Sequence, residues 1–461
     1  LLKLKFHLKD ELDSTLCRSS NSKLMVDNEP INQERRGLVR GYGTLLGNAY
    51  FRNFLIASTV LNIGRKLSWI ALGWFVYHET GSTVAIGMVI AAATVSPLLS
   101  SILVGGMLDH FDRRTVMIWE NVVRGGCLSL IPLLYWFDVL AIWMIIVVVF
   151  VDGCLSSFTT IGTASILPEF LHKEELETGN AVFTMTGQIG SLIGPALGGF
   201  STALMGAPMT FMVNVLCFLM AALLYYRIPP EAYHSRKIVS RKVVKNKWRR
   251  FLRETKEGFT YIFSYKILIV IALITFFFNL TYAPLKPMLP VFVDEIIKAG
   301  PGTLGTMWSC FAVGSFVGAI LWVRLGKRFP YFYSLGLVIL LWGLVPTSLS
   351  FFTHIMIIYS LMFFGGIVYA PYNIVSPTLR QQLVPNAMRG RVFGVYGLIA
   401  GLGFPIGVYA GGLLAELVGV TQTILFSGVL TMILGLAVAV HPILRFKDVN
   451  TLDVSQPEPY R

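Results

Sequence analysis

A chain of 461 residues with 54% hydrophobic and only 14% charged side chains has too little charge to cover a soluble domain. Its mean hydropathy is +0.66, and its apolar residues run on for about 20 positions at a time, the length that crosses a bilayer. The formal charge of +13 would suggest nucleic acid on a soluble protein; here lysine and arginine fall in alternate loops, so no nucleic-acid partner is expected.

Residues 1–50 form a polar N-terminal segment without the short apolar core of a cleavable signal, and Met25 offers an alternative start. Residues 51–227 form a first bundle of six apolar runs: Phe54–Tyr77, Val84–Leu108, Val116–Phe137, Ala141–Ile166, Ala181–Met205 and Met209–Tyr226. A basic linker, 228–262, carries ten lysines and arginines around Trp248 and Phe251. Such a stretch could bind nucleic acid or a calmodulin-like partner, but between two membrane spans it reads better as an interfacial helix on anionic lipid. Residues 263–446 hold the second six runs: Ile267–Leu289, Leu304–Val323, Phe332–Phe352, Ile355–Ile374, Val392–Leu417 and Ile424–Leu444. A tail, 447–461, closes the chain.

The expected fold is therefore an all-α membrane protein with twelve transmembrane helices in two six-helix pseudo-repeats. Gly187 and Pro195 in span five recur as Gly397 and Pro405 in span eleven, and Arg113–Arg114 after span two recurs as Lys327–Arg328 after span eight. Loops with Arg113, Lys173, Arg324 and Arg380 alternate with loops holding Glu79, Asp138, Asp294, Glu295 and Glu416. Basic loops stay inside, which puts both termini in the cytoplasm and the chain in a bacterial inner membrane.

Two motifs carry mechanism. Residues 105–114, Gly-Gly-Met-Leu-Asp-His-Phe-Asp-Arg-Arg, place Gly105, Asp109, Arg113 and Arg114 in the loop after span two. The glycines allow close helix approach, and Asp109 can pair with cations or cap a neighbouring helix, as a gate would. Its second-half echo lacks the acid, since Val323 stands there. Residues 190–199 fit G-x-x-x-G-P-x-x-G-G through Gly190, Gly194, Pro195, Gly198 and Gly199. Small residues one turn apart permit tight packing, expected here against a helix of the other half, and proline sets a bend.

The first motif resembles the signature loop of the major facilitator superfamily, and the second the motif of its proton-coupled antiporters, usually exporters. Phe51-Arg52-Asn53-Phe54, Thr80-Gly81-Ser82 and residues 389–394 resemble the bacterial branch of macrolide efflux pumps and enterobactin-type siderophore exporters. That branch often carries an acid after the mid-span-one glycine; here Gly64 is followed by Arg65 and Lys66.

A charge deep in the bilayer costs several kcal/mol and calls for a partner or a purpose. The candidates are Arg65, Lys66, Glu120, Arg124, Asp152 and Lys286. Glu120 and Arg124 share a helix face. Arg124 and Asp152 lie roughly 15 Å and 20 Å from the same membrane face, near enough to pair. The resemblance places Asp152 and either Arg65 or Lys66 beside the substrate path. Asp152 is either a proton-coupling carboxylate or one member of a permanent ion pair. Lys286, among Pro284, Pro287 and Pro290, is expected to snorkel to the headgroups. Asn279, Tyr282, Tyr369, Tyr372 and Asn373 are candidate cavity walls.

Five scattered cysteines read as small hydrophobes, and seven histidines at loops or helix ends form no metal set, so no cofactor or enzymatic constellation is expected. The function expected is secondary transport by a monomer: proton-coupled antiport exporting a siderophore-like anion or a drug by alternating access. An importer, a facilitator and a non-transporting receptor are the alternatives.

Overall fold

The computed structural model describes residues 45–107, 112–171, 175–230, 247–326, 331–385 and 388–440, which are helical with no strand among them. Helix α1 (Ala49–Thr80) starts at Asn48, whose side-chain oxygen accepts from the backbone N–H groups of Tyr50 and Phe51 at 3.0 and 3.3 Å. It stops at Gly81 in the left-handed conformation. Helices α2 (Thr83–Met107), α3 (Arg113–Trp136) and α4 (Ile142–Phe170) follow. Asp112 caps α3 by accepting from the Thr115 N–H at 2.9 Å and its hydroxyl at 2.6 Å.

The stretch α5 (Leu176–Tyr226) comprises two helices that meet at a non-helical kink at Gly206, where φ is +82°. The Thr210 hydroxyl donates to Ser201, nine residues back, at 3.2 Å, a separation that a straight helix would stretch to about 13 Å. α5 therefore supplies spans five and six. The linker contributes α6 (Lys247–Ser264). Span seven is built from α7 (Lys266–Tyr282), α8 (Leu285–Val291) and a π-helical turn, Phe292–Ile296, divided where Pro284 and Pro287 interrupt backbone bonding. Helices α9 (Pro301–Leu325), α10 (Tyr331–Leu349), α11 (Ile355–Leu383), α12 (Arg389–Val418) and α13 (Val420–Val440) complete the chain.

Among the described residues nine helices are long and apolar enough to cross a membrane. With α5 counted as two crossings, and with α1 and α10, the architecture is consistent with twelve spans. The repeat is visible in the backbone as well. Gly419 turns α12 into α13 with φ +92° and ψ 160°, against +82° and 161° at Gly206, and the two stand 213 residues apart. Large apolar side chains such as Trp119, Phe200, Leu216, Phe316 and Ile433 are exposed around the outside, a surface that lipid solvates and water does not.

The two halves meet along α2–α12 and α5–α9. The named contacts gather toward the end of the molecule that bears the acidic loops. Thr83 donates to the Gly412 carbonyl at 2.9 Å, and Ser82 to the Glu416 carboxylate at 2.6 Å. A methyl group on Gly199 would stand 2.5 Å from the Pro301 carbonyl oxygen and 2.9 Å from the Gly305 Cα. At the opposite, basic end, α6 docks on its own half, where Arg391 bonds Glu257 at 2.5 Å and approaches Glu254 at 3.6 Å.

Candidate functional site

Three intramembrane charges predicted from sequence come together. Arg124 on α3 is buried with its guanidinium shared between two carboxylates. Its Nη1 donates to Glu120 at 3.0 Å, one helical turn earlier, while Nε and Nη2 grip both oxygens of Asp152 on α4 at 2.8 and 3.3 Å. The Phe218 ring covers the guanidinium at 4.5 Å. Glu120 also accepts from Thr159 at 2.6 and 2.7 Å and from Asn121 at 3.1 Å. The two acids differ in access: the side chain of Glu120 is 3% exposed and that of Asp152 is 28% exposed.

The adjacent bases of span one part company. Arg65 is exposed midway along its helix, donates to Asn62 at 2.6 Å and lies within electrostatic range of both Arg124 and Asp152. Lys66 lies within electrostatic range of Arg65 and also of Lys286, and so links the two neighbourhoods. Its Cβ lies 2.5 Å from where a methyl group on Gly194 would project. That contact corrects the expected role of the glycine motif. Gly190, Gly194 and Gly198 seat α5 on Asn62, Ile63 and Leu67 of α1, in the same half; Gly199, beside Pro195, is the motif glycine that faces the other half, at Gly305. Crossing helices present successive turns to one neighbour, so a four-residue spacing follows a single partner and the extra glycine meets a second.

The predicted gating loop is only partly visible. Asp109 lies outside the described residues, and Gly105 falls in the last turn of α2. Arg113 opens α3. Arg114 donates to the carbonyls of Ile228 and Tyr226 at 2.7 and 2.6 Å, where its charge suits the C-terminal end of span six.

The second half offers rings. Phe278, Tyr282, Phe311, Trp342, Tyr369 and Tyr372 form one aromatic cluster with centroid separations of 4.7 to 6.3 Å. Tyr372 donates to Thr275 at 2.9 Å, and Thr275 bonds the Tyr396 hydroxyl at 2.5 Å. These groups line a cavity of about 260 Å³ with Asn373, Ser376 and Arg380, whose guanidinium lies over the Tyr396 ring at 4.1 Å. Asn279 instead donates to the Ala400 carbonyl at 2.8 Å and ties α7 to α12. Sequence reading had treated Arg380 as a loop cation, because it stands one turn from the end of α11.

Lys286 does not snorkel. Its ammonium stands 4.7 Å from the Trp308 ring centroid, 5.5 Å from Trp69 and 5.8 Å from Phe404, so rings from both halves surround it. The available signal was tryptophan at depth: Trp69 and Trp308 lie about 16 and 10 Å in from their helix ends, well inside the interfacial belt where tryptophan usually sits.

A family model described as "Transmembrane secretion effector" matches residues 44–460, which include every membrane helix. The chain belongs to this family. The chain is similar to the multidrug efflux pump Tap of Mycolicibacterium fortuitum, 22% identical over 403 residues that cover 86% of this chain and 96% of the pump. It is also similar to macrolide efflux protein A of Streptococcus pyogenes, 23% identical over 409 residues, covering 87% and 95%. Among solved structures it superposes on the nucleoside transporter NupG with a TM-score of 0.66 at 13% identity, covering 84% of this chain and 98% of that one. A bacterial homologue of the lysosomal transporter Spinster, inward-facing and unoccupied, gives the same TM-score at 13% identity, covering 85% and 96%. The fold is that of the major facilitator transporters, as the motifs implied. The chain is a multi-pass membrane transporter of small molecules and not an enzyme.

Proposed function

We propose that this protein exports a small organic molecule, a drug or a siderophore-like anion, in exchange for protons. Its basic end faces the cytoplasm by the positive-inside rule, and the contacts between halves at the acidic end close the outward side. Rocking of the two six-helix halves then exposes the central site alternately to each face. Export of drugs and macrolides by similar chains supports the direction.

The observation that carries the coupling is the sharing of Arg124 between Glu120 and Asp152. One guanidinium neutralises one carboxylate, and in a low-dielectric site the second needs another cation or a proton. Glu120 is buried under bonds from Thr159, Asn121 and Arg124, whereas Asp152 is partly open. Asp152 is therefore the acid a proton reaches. Protonation there frees Arg65 from its attraction to the carboxylate, and deprotonation restores it.

Reconstituted vesicles with an acidic interior and outward-oriented basic ends test this with a radiolabelled macrolide. The native protein accumulates label in response to the gradient. In Asp152→Asn the gradient no longer stimulates uptake, while passive equilibration of label continues. Gradient stimulation equal to that of the native protein in Asp152→Asn rules out this acid as the coupling group.

A further inference from the structure

We infer that Lys66 and Lys286 form a binding site for an organic anion that carries a planar ring, seated at the seam between the two halves. The inference deepens the export reading by naming a substrate class, and it rests on that reading only in taking the seam as the transport path.

Charge placement leads there. The two intramembrane acids, Glu120 and Asp152, are both bound to Arg124, with Arg65 alongside. Among the described residues no carboxylate forms an ion pair with Lys66 or Lys286, and these two ammonium groups lie within range of each other. Two ammonium groups without a carboxylate partner are therefore placed together at the seam. Aromatic faces return about 0.5 to 2 kcal/mol to a cation, less than the several kcal/mol that burial of two like charges costs. An anion between them removes that deficit.

The surroundings also set the shape of the ligand. Lys66 and Trp69 are three residues apart on α1 and share a face. The Trp69 ring reaches toward Lys286, which Trp308 and Phe404 flank from α9 and α12. A carboxylate placed between the ammonium groups leaves the ring attached to it beside indole faces, where offset stacking is favourable. Because Lys66 and Trp69 belong to the first half and Lys286, Trp308 and Phe404 to the second, such a ligand bridges both bodies. Its binding would then differ between the two orientations, as transport requires.

The test uses three probes of one shape: naphthoate, the neutral naphthamide, and the naphthylmethylammonium cation. Binding to the full-length protein in detergent is read by calorimetry and by quenching of tryptophan fluorescence, with no proton gradient present. Naphthoate is expected to bind at least about tenfold more tightly than the amide, the worth of one charge-assisted contact, and the cation most weakly. Lys286→Gln and Lys66→Gln should each remove most of that preference, and Lys286→Arg should keep it. Equal binding of acid and amide by the native protein, or preference for the cation, overturns the inference without any variant having to fold. A preference unchanged in Lys286→Gln overturns it equally. Those results leave proton-coupled export standing, because the measurement involves no gradient; loss of coupling in Asp152→Asn would not touch the probe preference.

Discussion

The two halves share a backbone plan down to the glycine that turns their last hairpin, yet they carry different chemistry. In the first half, α1, α3 and α4 bring two acids and two arginines into one polar cluster around Arg124. In the second, the corresponding volume is filled by six rings packed mostly tilted or edge-to-face and a chain of hydroxyls through Thr275. A charge cluster responds to protons and tolerates little change of shape; a ring cluster presents broad apolar faces with a few polar edges and suits varied ligands. If export is coupled as proposed, the duplicated architecture sets a protonatable cluster in the first half against broad apolar faces in the second. Removing Arg124 should strain this division most. Arg124→Gln leaves the buried Glu120 and the partly open Asp152 without their shared cation, and a loss of about 3 to 5 kcal/mol is expected, read as a lowered midpoint of thermal unfolding in detergent. Tyr372→Phe removes one hydroxyl from the other cluster and should cost about 1 kcal/mol. Equal losses in the two variants would mean that the first half has no special dependence on its charges.

The glycine motif offers a second way to divide the halves. Gly194→Ala drives a methyl group against Lys66 and the Ile63 carbonyl, inside one half, whereas Gly199→Ala drives it against Pro301 and Gly305, across the seam. Overpacking costs about 1 to 3 kcal/mol in either place. The readouts should separate: Gly194→Ala lowers thermal stability, and Gly199→Ala slows transport by disfavouring closure at the acidic end. If Gly199→Ala transports normally but unfolds early, the α5–α9 seam is a fixed joint and not a moving one.

Much of this was legible in sequence, for reasons that particular residues make plain. The pairing of Glu120 with Arg124 follows from helical periodicity, and that of Arg124 with Asp152 from counting residues inward along two antiparallel helices. The twelve runs were legible because a bilayer demands length and apolarity from every span. Partner choice across the seam was not. Spacing says that Gly190, Gly194 and Gly198 face something closely, but α1 and a helix of the other half satisfy the same spacing. Lys286 was misplaced because its position along span seven suggested a short reach to the headgroups, while the proline-broken helix turns it toward Trp69 and Trp308. The separation of Arg65 from Lys66, neighbours in sequence, follows from a helix rotating each residue by about 100°.

The smallest expected effect concerns the latches at the acidic end, where the halves again differ in kind: hydroxyl groups of the first half donate and carboxylates of the second accept. Tyr77 donates to Glu295, and Ser82 to Glu416. Glu416 also accepts from the Val84 N–H at 3.3 Å, so it caps the first turn of α2 from the opposite bundle. Glu416→Gln keeps an acceptor of the same shape and loses the charge that the helix terminus favours, a change of about 0.3 to 1 kcal/mol at an exposed site. That is enough to shift a balanced two-state equilibrium by roughly two- to fivefold toward opening at the acidic end. Labelling of a cysteine placed at Gly302, an open position beside this seam, should accelerate by that factor in Glu416→Gln and more in Glu416→Ala. An unchanged labelling rate in both would show that the cap stabilises α2 alone and has no part in holding the halves together.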